Sequence, residues 1–199
     1  MKRTLILLNL VMIYVLSQAQ GYKVGDQAMQ FKLKNVDGNY VSSEDYKNVK
    51  GFILVFTCNE CPYSKAYEER LIELNNSFEK KGFPLIAINP NDPEVQPSDT
   101  YELMVKKAKD MKFNFPYLFD PGRKISEAYG ATRTPHVYLV SKTDKTFVVE
   151  YIGAIDDNSN DESKVTKTYL SNAINALLEG KKPDPNFTKA IGCGVKKKA

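Results

Sequence analysis

Two cysteines, Cys58 and Cys61, are separated by two residues and lie between a short apolar run and a stretch that is typical of a helix. The apolar run, residues 52–56, predicts a buried strand, and Pro62 suits the first turn of a helix. A sulfur at a helix N-terminus lies near unpaired backbone N–H groups and the positive end of the helix dipole, so its pKa is expected to be lowered. A thiolate beside a second thiol is the working part of a thiol–disulfide exchanger.

The two sulfurs are expected to have different roles. We expect Cys58 to be the more exposed of the pair and the attacking thiolate, and Cys61, one helical turn further in, to resolve the mixed disulfide. The alternative is a static disulfide, which is common in exported proteins, but the spacing and the helix position favour the redox role. Glu60 lies between the cysteines, and its carboxylate is expected to raise the pKa of the thiol. We therefore expect a reducing to intermediate couple.

The elements that must position this pair alternate between strands and helices after an initial hairpin. An Asp37-Gly38 turn between two alternating segments predicts that hairpin. The predicted strands are residues 29–34, 36–41, 52–57, 83–88, 116–120, 137–140 and 146–152. The predicted helices are residues 62–81, 98–111, 123–129 and 163–179. This order predicts an α/β fold, with a central mixed β-sheet flanked by helices and an N-terminal β-hairpin. Its active end is expected at the carboxyl ends of the parallel strands.

The N-terminus has the pattern of a secretory leader. Two basic residues precede an apolar run, residues 5–16, and residues 17–19 provide a small-residue cleavage site. We expect residues 1–19 to be a signal peptide and residues 20–199 to form a single domain, which is periplasmic or secreted in a bacterium-like cell. The alternative is an uncleaved anchor, but the apolar run is short for a bilayer. No stable membrane insertion is therefore expected after cleavage.

Charge and cysteine count exclude several function classes. The formal net charge of +4 becomes +2 when the two positive charges of Lys2 and Arg3 are removed, and the remaining basic residues are scattered, so nucleic-acid binding is not expected. One CxxC without a second CxxC or a His pair does not predict a zinc site. Neither a metal nor an organic cofactor is predicted. Turn and surface charges are expected at Arg123, Asp120 and the pair Asp156-Asp157.

The strand-Cys58-x-x-Cys61-Pro62-helix order and the later Thr134-Pro135 step before a strand resemble the thioredoxin superfamily. The resemblance implies a cis-proline at Pro135 beside the CxxC, and a backbone at Thr134 that pairs with bound substrate. The N-terminal hairpin and the segment 89–111 are similar to the redoxin branch, which includes alkyl hydroperoxide reductase/thiol-specific antioxidant proteins and exported disulfide reductases. The resemblance implies an oxidoreductase that needs no cofactor. Its partners would be protein or small-molecule thiols and disulfides, with a redox partner protein as the electron source.

Two departures from the family pattern bear on activity. A peroxidase of this branch carries a Thr three residues before its reactive cysteine, whereas the corresponding positions here hold Val55 and Cys58. Efficient peroxide reduction is therefore not expected, and a thiol-dependent peroxidase is the second hypothesis. Phe52 replaces the buried acid that thioredoxin carries upstream of its first cysteine, so no acid is predicted there to accept the proton of the second thiol.

His136 and Cys193 are candidate auxiliary residues. Together with Cys58 and Cys61, His136 resembles the ligand set of Sco-type copper chaperones, although those have a longer cysteine spacing. A copper chaperone or non-catalytic binding module is therefore the minority hypothesis, and an ordinary strand histidine is favoured. Cys193 is either a second resolving thiol that reaches the active site from the C-terminal segment or an unremarkable buried thiol. We lean slightly to the buried thiol.

Overall fold

The computed structural model describes residues 21–46, 48–144 and 146–198. The predicted signal peptide, residues 1–19, and the first residue expected after it lie outside these ranges. The helices are α1 (Pro62–Phe78), α2 (Tyr101–Asp110), α3 (Lys124–Tyr129) and α4 (Tyr169–Leu178). The strands are β1 (Lys32–Asn35), β2 (Tyr40–Ser42), β3 (Gly51–Phe56), β4 (Leu85–Asn89), β5 (Tyr117–Phe119), β6 (Arg133–Thr134), β7 (His136–Lys142), β8 (Phe147–Gly153) and β9 (Cys193–Gly194).

Seven of these strands form one mixed sheet in the order β2-β1-β5-β4-β3-β7-β8. The central strands β5, β4 and β3 are parallel, and antiparallel pairs lie on either side of them. At one edge, β1 and β2 form the predicted hairpin around Gly38, whose φ of 90° is one that glycine adopts without strain. The predicted mixed sheet with an N-terminal hairpin is confirmed. A separate two-stranded ladder joins β6 to β9.

The continuous apolar sequence of β3 follows from burial on both faces of the sheet. All six residues of this strand are buried, and alternate side chains enter different cores. Ile53 and Val55 contact the core that includes buried residues of α1, α2 and α4. Phe52, Leu54 and Phe56 contact the core that includes buried residues of α3. Strand β3 is thereby packed between two cores, and Cys58 follows shortly after its carboxyl end.

The last predicted helix, residues 163–179, begins later than the sequence indicates. A 3-10 turn, Glu162–Lys164, is followed by non-helical chain until α4 begins at Tyr169. The carboxylate of Asp157 accepts hydrogen bonds from the backbone N–H groups of Thr166 and Lys167. A side chain that offers backbone groups such partners competes with helix formation, and the β-branched residues nearby weaken the helix further.

Two acids expected on the surface are in fact buried. Asp156 is 6% exposed and forms an ion pair with Arg70, and Asp120 is 2% exposed and accepts a hydrogen bond from the backbone N–H of Ser126 in α3. Each carboxylate thus has a partner, as burial of a carboxylate requires, although burial still raises the pKa of Asp120. Within the described ranges, no helix combines the length and apolar character needed to cross a membrane.

Candidate active site

The two cysteines of the CxxC lie between the end of β3 and the start of α1. The backbone N–H of Thr57 still bonds to the carbonyl oxygen of Ile88, so strand pairing extends almost to Cys58. Cys61 is the N-cap residue of α1, and Pro62 occupies the first helical turn as predicted. Both cysteines are only 5% exposed. The expectation that Cys58 is the more exposed of the two is therefore wrong, because it lies beneath neighbouring chain rather than at the surface.

The Thr134-Pro135 step brings a second part of the chain against both sulfurs. The peptide bond between Thr134 and Pro135 is cis, as the family resemblance implies. The thiol of Cys58 donates a hydrogen bond to Thr134 Oγ1 over 3.3 Å, and Cys61 Sγ lies 3.1 Å from the carbonyl oxygen of Thr134. The Thr134-Pro135 step thus meets the two cysteines, although it lies far from them in sequence. The catalytic roles of Cys58 and Cys61 remain predictions.

The disulfide of the structure joins Cys61 to Cys193, and Cys58 is a free thiol. The slight preference for Cys193 as an unremarkable buried thiol is therefore wrong, and its alternative, a thiol that reaches the active site, matches the geometry. The C-terminal strand β9 pairs with β6 in antiparallel register, with Thr134 opposite Cys193. This pairing sets the Cα atoms of Cys61 and Cys193 6.0 Å apart, although 132 positions separate them in sequence.

A buried polar network lies next to Cys58, and its central residue, Asp99, was predicted only as a helix cap. Asp99 is fully buried and accepts hydrogen bonds from the backbone N–H of Asn59 and from the side chains of Asn89 and Asn91. The hydroxyl of Tyr117 donates to the side-chain oxygen of Asn59. The asparagines of the turn-rich loop after β4 were the available sequence signal for this network, since buried polar side chains need partners.

The surroundings raise the pKa of the Cys58 thiol, which corrects the expected lowering. Burial is the largest cause, because it disfavours the charged thiolate. Hydrogen bonds from the Thr134 side chain and the Cys61 backbone lower the pKa, as expected at a helix start, but the negative charge of Asp99 raises it further. Burial thus outweighs the helix terminus, and Cys58 is mainly protonated at neutral pH in this state.

The structure does not support the effect on the Cys58 pKa that the sequence suggested for Glu60. Its carboxylate forms an ion pair of 2.6 Å with Lys65, and both side chains are about half exposed. A paired and hydrated carboxylate acts weakly on a buried thiol because solvent screens its charge. The carboxylate that raises the pKa of Cys58 is instead that of Asp99.

His136 is buried in β7, and its ring lies 4.8 Å from the ring of Tyr138 between centroids. Its Nδ1 has no hydrogen-bond partner, so the expectation of a satisfied ring is wrong for this nitrogen. Burial, together with the positive charge of Arg133, lowers the pKa of His136 to about 4. In the part of the chain that the structure describes, no group of three or more His, Cys, Asp or Glu residues is arranged to hold a metal ion.

Comparisons with known proteins relate this chain to redox proteins. A sequence model of the AhpC/TSA family matches residues 24–157. The chain is 26% identical over 155 residues to the thiol-disulfide oxidoreductase ResA of Halalkalibacterium halodurans, which covers 71% of this chain and 83% of that protein. An uncharacterized conserved protein from Geobacillus kaustophilus superposes with a TM-score of 0.82 at 36% identity, over 90% of this chain and 94% of that chain.

A more distant structure identifies the fold. The thioredoxin domain of a thiol-disulfide oxidoreductase from Bacteroides vulgatus superposes with a TM-score of 0.54 at 22% identity, over 67% of this chain and 91% of that domain. The predicted α/β, thioredoxin-like fold is confirmed.

Proposed function

Because the chain belongs to the AhpC/TSA family and is a thioredoxin-like oxidoreductase, we propose that it is an exported thiol–disulfide oxidoreductase that exchanges electrons through Cys58 and Cys61. The observation that carries this proposal is the contact of both sulfurs with Thr134, next to the cis peptide bond. One residue thereby touches both members of the CxxC, and its strand can pair with the backbone of a substrate. The relative in Halalkalibacterium halodurans carries the name of the same activity.

The proposed reaction starts once the redox partner protein has reduced the Cys61–Cys193 disulfide, and it consists of two successive thiol–disulfide exchanges. The thiolate of Cys58 attacks one sulfur of a substrate disulfide, which forms a mixed disulfide and releases the other substrate sulfur as a thiolate. Cys61 then attacks the Cys58 sulfur, releases the second substrate thiol and leaves a Cys58–Cys61 disulfide. The two electrons gained by the substrate come from the two enzyme thiols, whose protons pass to the leaving sulfurs. The reverse sequence oxidises a dithiol, and neither direction needs a metal or an organic cofactor.

Thr134 would assist at both stages. In the structure, in which Cys61 is bonded to Cys193, its Oγ1 accepts the hydrogen bond of the Cys58 thiol, and the same hydroxyl can donate to the thiolate once the proton has left. The backbone N–H of Cys61 adds a second donor to Cys58. These groups favour the thiolate against burial, which opposes it.

Insulin reduction in the presence of dithiothreitol tests the proposal. We expect Cys58→Ser to lower the rate by about a hundredfold or more, since a hydroxyl is a far weaker nucleophile than a thiolate. Cys61→Ser should slow turnover and accumulate the mixed disulfide on Cys58, visible by mass spectrometry. Cys193→Ser is the matched cysteine control and should stay active, because dithiothreitol opens the Cys61–Cys193 bond of the wild type, so neither protein carries that disulfide in the assay. Full activity of Cys58→Ser would refute the proposed role of the CxxC.

Export is proposed from the leader pattern of residues 1–19. Expression of the full chain in a bacterial host should yield a protein that starts near Gln20 or Gly21 and is released with the periplasmic fraction or into the medium. N-terminal sequencing of the purified protein measures the cleavage site. Recovery of the uncleaved chain in the membrane fraction would favour the anchor instead.

Peroxide reduction is the second candidate, and membership of the AhpC/TSA family favours it. Cys58 also lies near two hydroxyl groups, those of Thr134 and Ser64. Val55, however, which occupies the position of the Thr that such peroxidases carry three residues before the reactive cysteine, is a buried strand residue without a hydroxyl. Consumption of hydrogen peroxide that depends on Cys58, and that is faster than exchange with disulfide substrates, would select this function over the first.

A further inference from the structure

The C-terminal segment lies on the edge of the site where a substrate would bind. Strand β9 pairs with β6, with Cys193 opposite Thr134 and Gly194 opposite Arg133. The backbone N–H of Val195 continues the pairing with a hydrogen bond of 3.2 Å to the carbonyl oxygen of Thr132. Cys193 is at the same time bonded to Cys61. The segment therefore has the two properties of a trapped peptide substrate, extended backbone pairing and a disulfide to the CxxC.

Further contacts join the segment to the loop after β4. The backbone N–H of Lys196 donates to Asn91 Oδ1 over 2.8 Å, and the backbone N–H of Asp92 donates to the carbonyl oxygen of Lys196 over 2.9 Å. The side chain of Asn91 also donates to Asp99, a member of the polar network beside Cys58. A further ion pair joins Lys198 to Glu94. The segment is thus bound between the Thr134 step and the loop after β4.

Gly192 permits the close approach on which this docking depends. A Cβ atom at this position would lie 2.2 Å from the carbonyl oxygen of Thr134 and 3.1 Å from the nitrogen of Pro135, and both are backbone atoms that cannot turn aside. A Cβ atom at Gly194 would meet only the end of the Arg133 side chain, at 3.4 Å. The two glycines on either side of Cys193 therefore differ in what they tolerate.

We propose that residues 191–196 form a redox-released plug, which occupies the substrate edge at Thr134 while Cys193 is bonded to Cys61 and leaves it when Cys58 takes the place of Cys193. The proposal rests on the redox role of Cys58 and Cys61 proposed above. It makes Cys193 the third member of the redox site and the C-terminal segment an internal competitor of the substrate.

The exchange balances without any outside oxidant or reductant. The Cys58 thiolate attacks Cys61 Sγ, a Cys58–Cys61 bond forms, the Cys61–Cys193 bond breaks, and the proton lost by Cys58 passes to the leaving Cys193 sulfur. One disulfide and one thiol are present before and after. In the reverse direction, Cys193 converts an oxidised, open CxxC into the closed form of the structure and returns Cys58 to the thiol state.

Two alanine substitutions at the paired glycines test the plug without removing a cysteine. Wild type, Gly192→Ala and Gly194→Ala are reduced, reoxidised in a glutathione buffer, quenched with acid and mapped by peptide mass spectrometry. In Gly192→Ala we expect the ratio of Cys58–Cys61 to Cys61–Cys193 to rise about tenfold or more, as overpacking against rigid backbone predicts. Gly194→Ala should keep the wild-type ratio. An unchanged ratio in Gly192→Ala would overturn the proposal.

Hydrogen exchange of the wild-type protein provides a second measurement that needs no variant. The amides of Val195 and Lys196 should be protected in the Cys61–Cys193 form and lose most of that protection after reduction, because the bond that holds the segment is then open. Equal protection in both forms would overturn the release step. Insulin reduction by Cys58→Ser separates the two proposals, because a loss of activity in this variant supports the redox role whatever the plug does. If that activity depends on Cys58 while the ratio and the protection stay unchanged, only the plug fails.

Discussion

At Cys58, two effects on one thiol act in opposite directions. The helix start and the Thr134 hydroxyl supply donors to the sulfur, whereas burial and Asp99 disfavour its negative charge. The second pair prevails, so the pKa is raised rather than lowered. A thiol held in this way reacts slowly until the chain around it opens, because the thiolate is the reactive form.

Asp99→Asn should therefore lower the pKa of Cys58, since it removes a negative charge from the network beside the thiol. The rate of Cys58 alkylation by iodoacetamide, measured against pH in the oxidised protein, follows the thiolate fraction. We expect the profile of Asp99→Asn to move to lower pH, so that alkylation at pH 7.5 becomes faster. Glu60→Gln is the matched carboxylate control and should move the profile less. A larger shift in Glu60→Gln would restore the influence first predicted for Glu60.

His136 should make folding stability depend on pH below neutrality. The unfolded chain binds a proton at this residue near pH 6.5, but the folded chain binds it only near pH 4. Between these values the unfolded state holds more protons, so the free energy of unfolding falls as the pH decreases, by up to about 3 kcal/mol. Urea unfolding of wild type and His136→Phe between pH 4 and 7.5 measures the difference. Parallel pH profiles for the two proteins would contradict the assignment.

The residues at the centre of the site were predictable from local spacing and Thr134-Pro135 from the family resemblance, but the network around Asp99 was not, and the role of Cys193 was left open. Cys58 and Cys61 follow from the strand-CxxC-helix order, which also sets the place of Pro62. Asp99 and Cys193 meet the CxxC only through folding of distant chain, and a single sequence contains no measure of such contacts. Asp99 resembled a helix cap because the residues after it form α2, yet its carboxylate turns inward to the asparagines.

At the scale of elements, α1 is tied to the loop after β8 by a buried ion pair. Arg70 donates to Asp156 Oδ2 over 2.6 Å and to the carbonyl oxygens of Asn158 and Ser159. The hydroxyl of Tyr67 donates to the other oxygen of Asp156 over 2.7 Å. Both side-chain donors come from α1, and the backbone N–H of Asn158 in the loop donates to the same carboxylate, which thus fixes the helix that follows Cys61.

Asp156→Asn should destabilise the protein strongly because it leaves the buried guanidinium of Arg70 without its counter-charge. Removal of one partner of a buried pair costs about 3 kcal/mol or more. Urea unfolding at pH 7 gives the change in the free energy of unfolding. The exposed pair between Glu60 and Lys65 is the matched control at the start of the same helix, and Glu60→Gln should change stability little. Equal effects of the two substitutions would mean that the burial of Asp156 has no energetic consequence.

Elements with strong periodicity were predicted well, and the errors occur where side chains compete for backbone groups. Strand β3 and helix α1 are determined by apolar spacing and by Pro62 at the helix start; after α1 ends at Phe78, a 3-10 turn, Glu79–Lys81, continues to Gly82, where φ is 96°. The segment before α4 has a helical pattern in sequence, but Asp157 binds its backbone N–H groups from nine and ten residues away. Apolar periodicity contains no information on that competition.

Across the whole molecule, the Cys61–Cys193 disulfide joins the start of α1 to the end of the chain. It closes a loop that contains most of the sheet and all four helices. Such a link acts on the unfolded chain more than on the folded one, because it removes conformations that only the open chain can adopt. In the folded protein it holds a short terminal segment, so its opening releases that segment while the sheet remains intact.

Loss of the disulfide should therefore lower the free energy of unfolding by more than its few native contacts indicate. For a sequence separation of 132 residues, the loop-entropy relation gives about 5 kcal/mol at 25 °C. We expect Cys193→Ser to lose a large part of this amount in urea unfolding without reductant, and Cys58→Ser, which keeps the disulfide, to lose much less. With dithiothreitol present, the wild type should fall to the stability of Cys193→Ser, while Cys193→Ser itself should not change. If the wild type has the same stability with and without reductant, the disulfide constrains neither state, and the closed loop cannot be part of what stabilises the fold.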